Sequence, residues 1–95
     1  MGIEDSGYLD RRPKKAEGLK IIDYIGIKYA TFNGEKLWEI EKVIAKLIEE
    51  CDGEKTFLDI AKKVSDKSGI GLDEIGMGLE KLFRELESAG FIEFV

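Results

Sequence analysis

The chain of 95 residues has no histidine, one cysteine, one proline and one tryptophan. Without histidine, the Ser-His-Asp and Cys-His arrangements that activate a nucleophile cannot be assembled. A zinc site built from Cys and His within one chain is excluded for the same reason. A lone Cys51 cannot form an internal disulfide, which fits a reducing compartment and a cytoplasmic location. No run approaches the roughly 18 apolar residues of a membrane span, and no secretory signal is visible. The start Met1-Gly2-Ile3-Glu4-Asp5-Ser6 has the form of a myristoylation site, but its acidic residues provide no polybasic second anchor.

What is present is charge. Charged residues make up 37% of the chain and sum to -5, and 43% of residues are hydrophobic. The pI near 4.8 opposes the basic footprint of a nucleic-acid-binding domain. The length fits one domain with a single core.

Residues 1–18 hold Gly2, Gly7, Asp10, Arg11, Arg12, Pro13, Lys14, Lys15 and Gly18. They read as a flexible arm in which only Tyr8 and Leu9 could dock on the body. Strand-like segments follow over residues 19–23, 27–32 and 35–39. Asn33-Gly34 between the last two is a strong hairpin signal, because a type I′ turn needs positive φ at both central positions. A two-residue turn there pairs Tyr29 with Trp38 and Ile27 with Ile40 on the core face. It pairs Lys28 with Glu39 and Ala30 with Leu37 on the outer face.

Three helices are predicted next. Ile40, Val43, Ile44, Leu47, Ile48 and Cys51 form an i, i+3, i+4 stripe. Thr56 and Asp59 form a capping box that opens the second helix, over residues 57–67. Asp73 and Glu74 open the third, where acids suit the helix dipole, and Gly90 ends it. Residues 91–95 form a short apolar end strand. The fold class is therefore α+β, winged-helix-like, with a three-stranded antiparallel sheet followed by a three-helix bundle.

Gly69-Ile70-Gly71 and Gly76-Met77-Gly78 lie between helices or within one, so neither is a dinucleotide-binding turn. The third helix would be the DNA reader of a winged helix. It carries five acids (Asp73, Glu74, Glu80, Glu85, Glu87) against two bases (Lys81, Arg84), a net of -3, and phosphate would repel it. The strand over residues 35–39 is a sheet edge. Its unpaired backbone groups can take an added peptide strand. About four to six hydrogen bonds at ~1 kcal/mol each, less the cost of ordering, imply roughly micromolar affinity.

The segment Asp52-Gly53-Glu54-Lys55-Thr56 follows an apolar helix. Ile60-Ala61 lies in the next helix, and Leu86-Glu87-Ser88-Ala89-Gly90-Phe91-Ile92 closes the third. In this order and spacing, over about residues 19–95, the chain resembles the PqqD-like family, the precursor-recognition elements of ribosomally made, modified peptides. Glu41 and Ile44 stand where close relatives of PqqD have an asparagine and a small residue. The resemblance implies a non-enzymatic, monomeric peptide chaperone with no cofactor. It implies as partners a precursor leader peptide and a modifying enzyme, often a radical S-adenosylmethionine protein, and neither nucleic acid nor membrane. By position, Lys36, Leu37, Trp38 and Glu39 would form the strand side of the groove. Gly76, Leu79, Glu80, Phe83 and Arg84 would form the helix side, with Phe83 as the apolar anchor and Arg84 facing a leader carboxylate. For Leu79 and Trp38 the competing reading is plain core.

Overall fold

Residues 6–95 are described in a computed structural model, with side chains from Tyr8 onward. The myristoylation-like start lies outside the described residues. The elements run α1 (Ser6–Leu9), β1 (Pro13–Lys15), β2 (Lys20–Tyr24), β3 (Ile27–Thr31), β4 (Trp38–Ile40), α2 (Lys42–Glu50), α3 (Phe57–Ser68), α4 (Leu72–Ser88) and β5 (Ile92–Phe94). The class is α+β. Strands β2, β3 and β4 form an antiparallel sheet in that order, and β1 pairs separately with β5. No helix among the described residues is long and apolar enough to cross a membrane.

The helices form where the apolar spacing places them. In α2 the buried side chains are Ala45, Leu47 and Ile48, and in α3 they are Phe57, Ile60 and Ala61. Each fully buried large apolar side chain contributes roughly 1.5–3 kcal/mol. The capping box at the start of α3 is present: the Asp59 N–H donates to Thr56 Oγ1 at 3.1 Å, and the Thr56 N–H donates to Asp59 Oδ2 at 3.0 Å. Two of the orphan donors of the first turn are thereby satisfied.

The segment Asp52 to Thr56 is a built turn. Asp52 Oδ1 accepts from the N–H groups of Glu54 and Lys55, both at 2.9 Å, and Oδ2 pairs with Lys55 Nζ at 2.8 Å. The Lys55 ammonium and these two amides hold the Asp52 carboxyl well below its usual range. Gly53 sits at φ +80, a conformation that glycine adopts without steric cost, and its N–H donates to Pro13 O at 2.9 Å.

Two expectations are corrected. The arm expected over residues 1–18 is, from Tyr8 on, part of the packed body. Tyr8 is only 1% exposed. Its ring meets Phe57 edge-on at 4.8 Å and Phe94 at 5.5 Å. Backbone bonds then secure the segment: Phe57 N–H to Arg11 O (2.8 Å), Val95 N–H to Arg12 O (2.9 Å) and Lys15 N–H to Cys51 O (2.9 Å). One aromatic side chain in the core and a run of backbone pairs, neither visible as an apolar stripe, order the segment.

The second correction concerns register. The β3–β4 pairs are Lys28 with Ile40, Tyr29 with Glu39 and Ala30 with Trp38, one residue off the expected alignment. A two-residue turn at Asn33-Gly34 does not form. Asn33 Oδ1 accepts from the Glu35 N–H at 2.9 Å, and Thr31 Oγ1 accepts from the Gly34 N–H at 2.9 Å. These local side-chain bonds open the loop, as such side chains do when they compete with a ladder. A one-residue shift exchanges the faces of β3 relative to β4. Ile21, Ala30 and Ile40 turn to the core, while the Tyr29 row, with Ile22, Tyr24 and Ile27, lies on the outer face of the sheet.

The two-residue turn is found instead between β2 and β3, at Ile25-Gly26, with Tyr24 opposite Ile27. Gly26 is at φ +79 and Ile25 at φ +53. A β-branched residue in this region is strained, at a cost of order 1–3 kcal/mol. Ile25 is 82% exposed, so packing offsets none of that strain. Ile25→Asn should raise stability by about 1 kcal/mol in urea unfolding, since asparagine tolerates the left-handed region.

Tyr8 supplies a second test. Its hydroxyl is buried and has no hydrogen-bond partner among the described residues. Burial pushes its phenol up to about 12, against the opposing charge of Arg84. Tyr8→Phe should therefore leave stability unchanged or raise it by up to about 1 kcal/mol. Tyr8→Ala should cost about 3–5 kcal/mol. A raised phenol pKa favours the protonated folded state, so this contribution is complete below pH 10 and is lost as pH rises toward 12.

Candidate functional site

Strand β4 pairs with β3 on one side and has no partner on its other side among the described residues. Its free backbone groups form an edge of the kind that accepts an added strand. Helix α2 follows at once, with Glu41 in extended backbone as its N-cap. The edge is consequently short: three residues, Trp38–Ile40, where a five-residue strand over 35–39 was expected.

Of the four strand-side residues, Trp38 and Glu39 lie in β4 and Lys36 and Leu37 in the loop just before it, and all four are exposed. Leu37 is 45% exposed and Trp38 36%. Trp38 lies edge-on to Phe32 at 6.2 Å and to Phe91 at 5.7 Å. Lys36 Nζ sits 5.2 Å from the Trp38 ring centroid, an attraction of about 0.5–1 kcal/mol at an exposed site. Glu39 lies on the outer face, opposite Tyr29. The plain-core reading of Trp38 therefore does not hold. The indole covers Phe91, beyond the C-terminus of α4, while keeping part of its surface in solvent. Phe32 and Phe91 were not singled out from the sequence. Admitting a three-residue loop at Asn33-Gly34-Glu35 would have put Ala30 opposite Trp38 and exposed the cluster.

The helix-side residues are placed differently. Gly76, Leu79 and Phe83 are buried. Phe83 meets Phe57 edge-on at 5.4 Å and has no accessible surface, so it cannot serve as the leader anchor that was expected. Leu79 is core. Both lie on the α4 stripe that faces α3 and the aromatic cluster. Glu80 and Arg84 are one turn apart on a flank of α4, and both the Nε and the Nη2 groups of Arg84 donate to Glu80 Oε2, at 3.0 and 2.8 Å. The Arg84 guanidinium also lies 4.7 Å from the Tyr8 ring centroid. Arg11 reaches Glu87 on the same flank at 3.9 Å. This side of α4 is thus occupied by the N-terminal segment. The opposite flank, half a helical turn away, carries the half-buried Ile75 and Leu82 and the exposed Gly78, beside which there is open space.

Cys51 is buried at the end of α2, and its thiol donates to Leu47 O at 3.2 Å. Burial, with the neighbouring Asp52 and Glu50 charges, pushes the thiol up to about 12. A thiol in that state is a packing group rather than a nucleophile. No group of three or more Cys, Asp or Glu among the described residues is placed to hold a metal ion. No family model matches the chain, and neither curated proteins nor solved structures show a match.

The thiol provides a direct check. In the folded protein at pH 8, Cys51 should react with an aromatic disulfide reagent at least about a hundredfold more slowly than in urea-unfolded protein. Fast reaction under native conditions would contradict the buried placement.

Proposed function

We propose that this chain is a PqqD-like peptide-recognition domain without chemistry of its own. An extended leader segment adds antiparallel or parallel to the free edge of β4, and the chain presents it to a separate modifying enzyme, of the radical S-adenosylmethionine type. The observation that carries this reading is the unpaired β4 edge flanked by exposed apolar side chains, Leu37 and Trp38. Main-chain bonds along the edge supply affinity, and the Trp38–Phe32–Phe91 cluster supplies a surface for one apolar leader side chain. On the helix side, the surface offered to the leader in place of the buried Phe83 is the exposed flank of α4 at Ile75, Gly78 and Leu82.

Strands ahead of three helices, with a built Asp52–Thr56 turn between the first two, support the winged-helix-like plan of that family. The other reading of such a plan is a DNA-binding regulator. It is disfavoured by the net charge of -3 on α4 and by β5, which returns to β1 rather than forming a wing behind α4.

The test is a titration of isotopically labelled protein with the leader of a precursor encoded beside its gene. Amide shifts should appear along residues 36–40 and at Ile75, Gly78 and Leu82. Leu37→Asp should change stability by less than about 0.5 kcal/mol and weaken leader binding about tenfold or more, ~1.4 kcal/mol. Shifts confined to residues 8–18 at saturation, with β4 silent, would refute the proposal.

A further inference from the structure

Helices α2 and α3 leave between them a cleft of about 760 Å³, lined by none of the β4 residues and unused by the reading above. Its floor is apolar: Leu47 from α2, and Ile60 and Val64 from α3, with Val43 on the lip at 60% exposure. Val43 and Leu47 are four residues apart, as are Ile60 and Val64. Each wall therefore presents an i, i+4 row, and between two such rows lies the groove that a third helix fills.

The charge around this floor is opposite to that of the molecule. Lys46, Lys55, Lys63 and Lys67 line the cleft against Glu49 and Glu50, a net of +2 on a chain of -5. Glu50 is already engaged, at 2.6 Å by Lys63 and 3.5 Å by Lys55. Lys46 on one wall and Lys67 on the other make no ion pair among the described residues. The cleft thus combines an apolar floor with an unneutralised cation on each wall.

We infer that the α2–α3 groove is a docking site for an acidic amphipathic helix of a partner protein. Its apolar residues at i, i+4 and i+7 would cover Val43, Leu47 and Val64, and its flanking carboxylates would meet Lys46 and Lys67. Helix α2, of nine residues, is about 13 Å long, so the contact takes two to three turns of the partner. Nucleic acid is a poorer occupant, because the floor is apolar and Glu49 and Glu50 stand in the lining. A small anion is poorer as well, because the lysines lie on the rim rather than converging on a buried point. The inference is independent of the β4 reading.

The probe is a lactam-stapled, fluorescein-labelled helix of about 14 residues, with leucine at i, i+4, i+7 and i+11 and glutamate at the flanking positions. Its control has lysine for every glutamate. The full chain should bind the acidic probe with a dissociation constant between about 1 and 100 μM and the control at least about tenfold more weakly, the difference shrinking as salt is raised. Amide shifts should fall at Val43, Val64 and Lys67 and leave residues 36–40 unmoved, so that this site and the β4 edge can fail separately. The exposed double substitution Lys46→Glu with Lys67→Glu should reduce binding about tenfold or more, and Val43→Asp should do the same, both with unchanged thermal melts. Equal binding of both peptides, displacement of the acidic probe by decanoate alone, shifts explained by self-association of the chain, or no binding up to about 1 mM would each overturn the inference.

Discussion

The aromatic contact between Tyr8, Phe57 and Phe83 is the joint on which the rest of the molecule turns. Phe57 is the first residue of α3, Phe83 lies in α4, and Tyr8 belongs to the short helix that precedes all the strands. Edge-on packing at 4.8 and 5.4 Å sets the positive edge of one ring quadrupole against the negative face of the next, and such pairs add about 0.5–1.5 kcal/mol each beyond the area they bury. The contact fixes how α3 and α4 lie against each other. It also draws the N-terminal segment over the Glu80–Arg84 flank of α4, and that occupancy decides which flank is left for anything else.

The surfaces that remain divide by chemistry. The β4 edge offers backbone groups and an aromatic cluster, a combination suited to an extended segment whose sequence matters at one or two side chains only. The α2–α3 groove offers side chains alone, apolar below and cationic above.

Much of the helical part is legible in the sequence alone. The stripes through Val43, Leu47 and Ile48 and through Phe57, Ile60 and Ala61 repeat at the helical period, and Thr56 with Asp59 announces its own cap. Those signals are local, and local signals survive packing. The register of the hairpin was not legible, because Asn33 can serve two turns. Its side chain bonding to the Glu35 amide selects the longer one, and one residue of slip turns β3 over against β4, so that Ala30 rather than Tyr29 faces the core. The role of Phe83 failed for a related reason. Periodicity shows that a residue lies on an apolar face but not what covers that face, and here it is Phe57, held by Tyr8. The N-terminal segment carried too few apolar residues to register as structure, since its order comes from backbone pairing with strands at the other end of the chain.

That pairing has a kinetic consequence. β1 meets β5 across nearly the whole chain, Pro13 opposite Phe94, and Asp52 bridges Lys14 from the middle. Contacts of such sequence separation incur the largest loop-closure entropy and form after the local ones. The β2–β3 hairpin and the α3–α4 pair can assemble from neighbours, whereas the β1–β5 ribbon must wait until residues 92–94 have left the ribosome. Until then Tyr8 has no complete pocket, and the flank of α4 that it will cover stays open to other contacts.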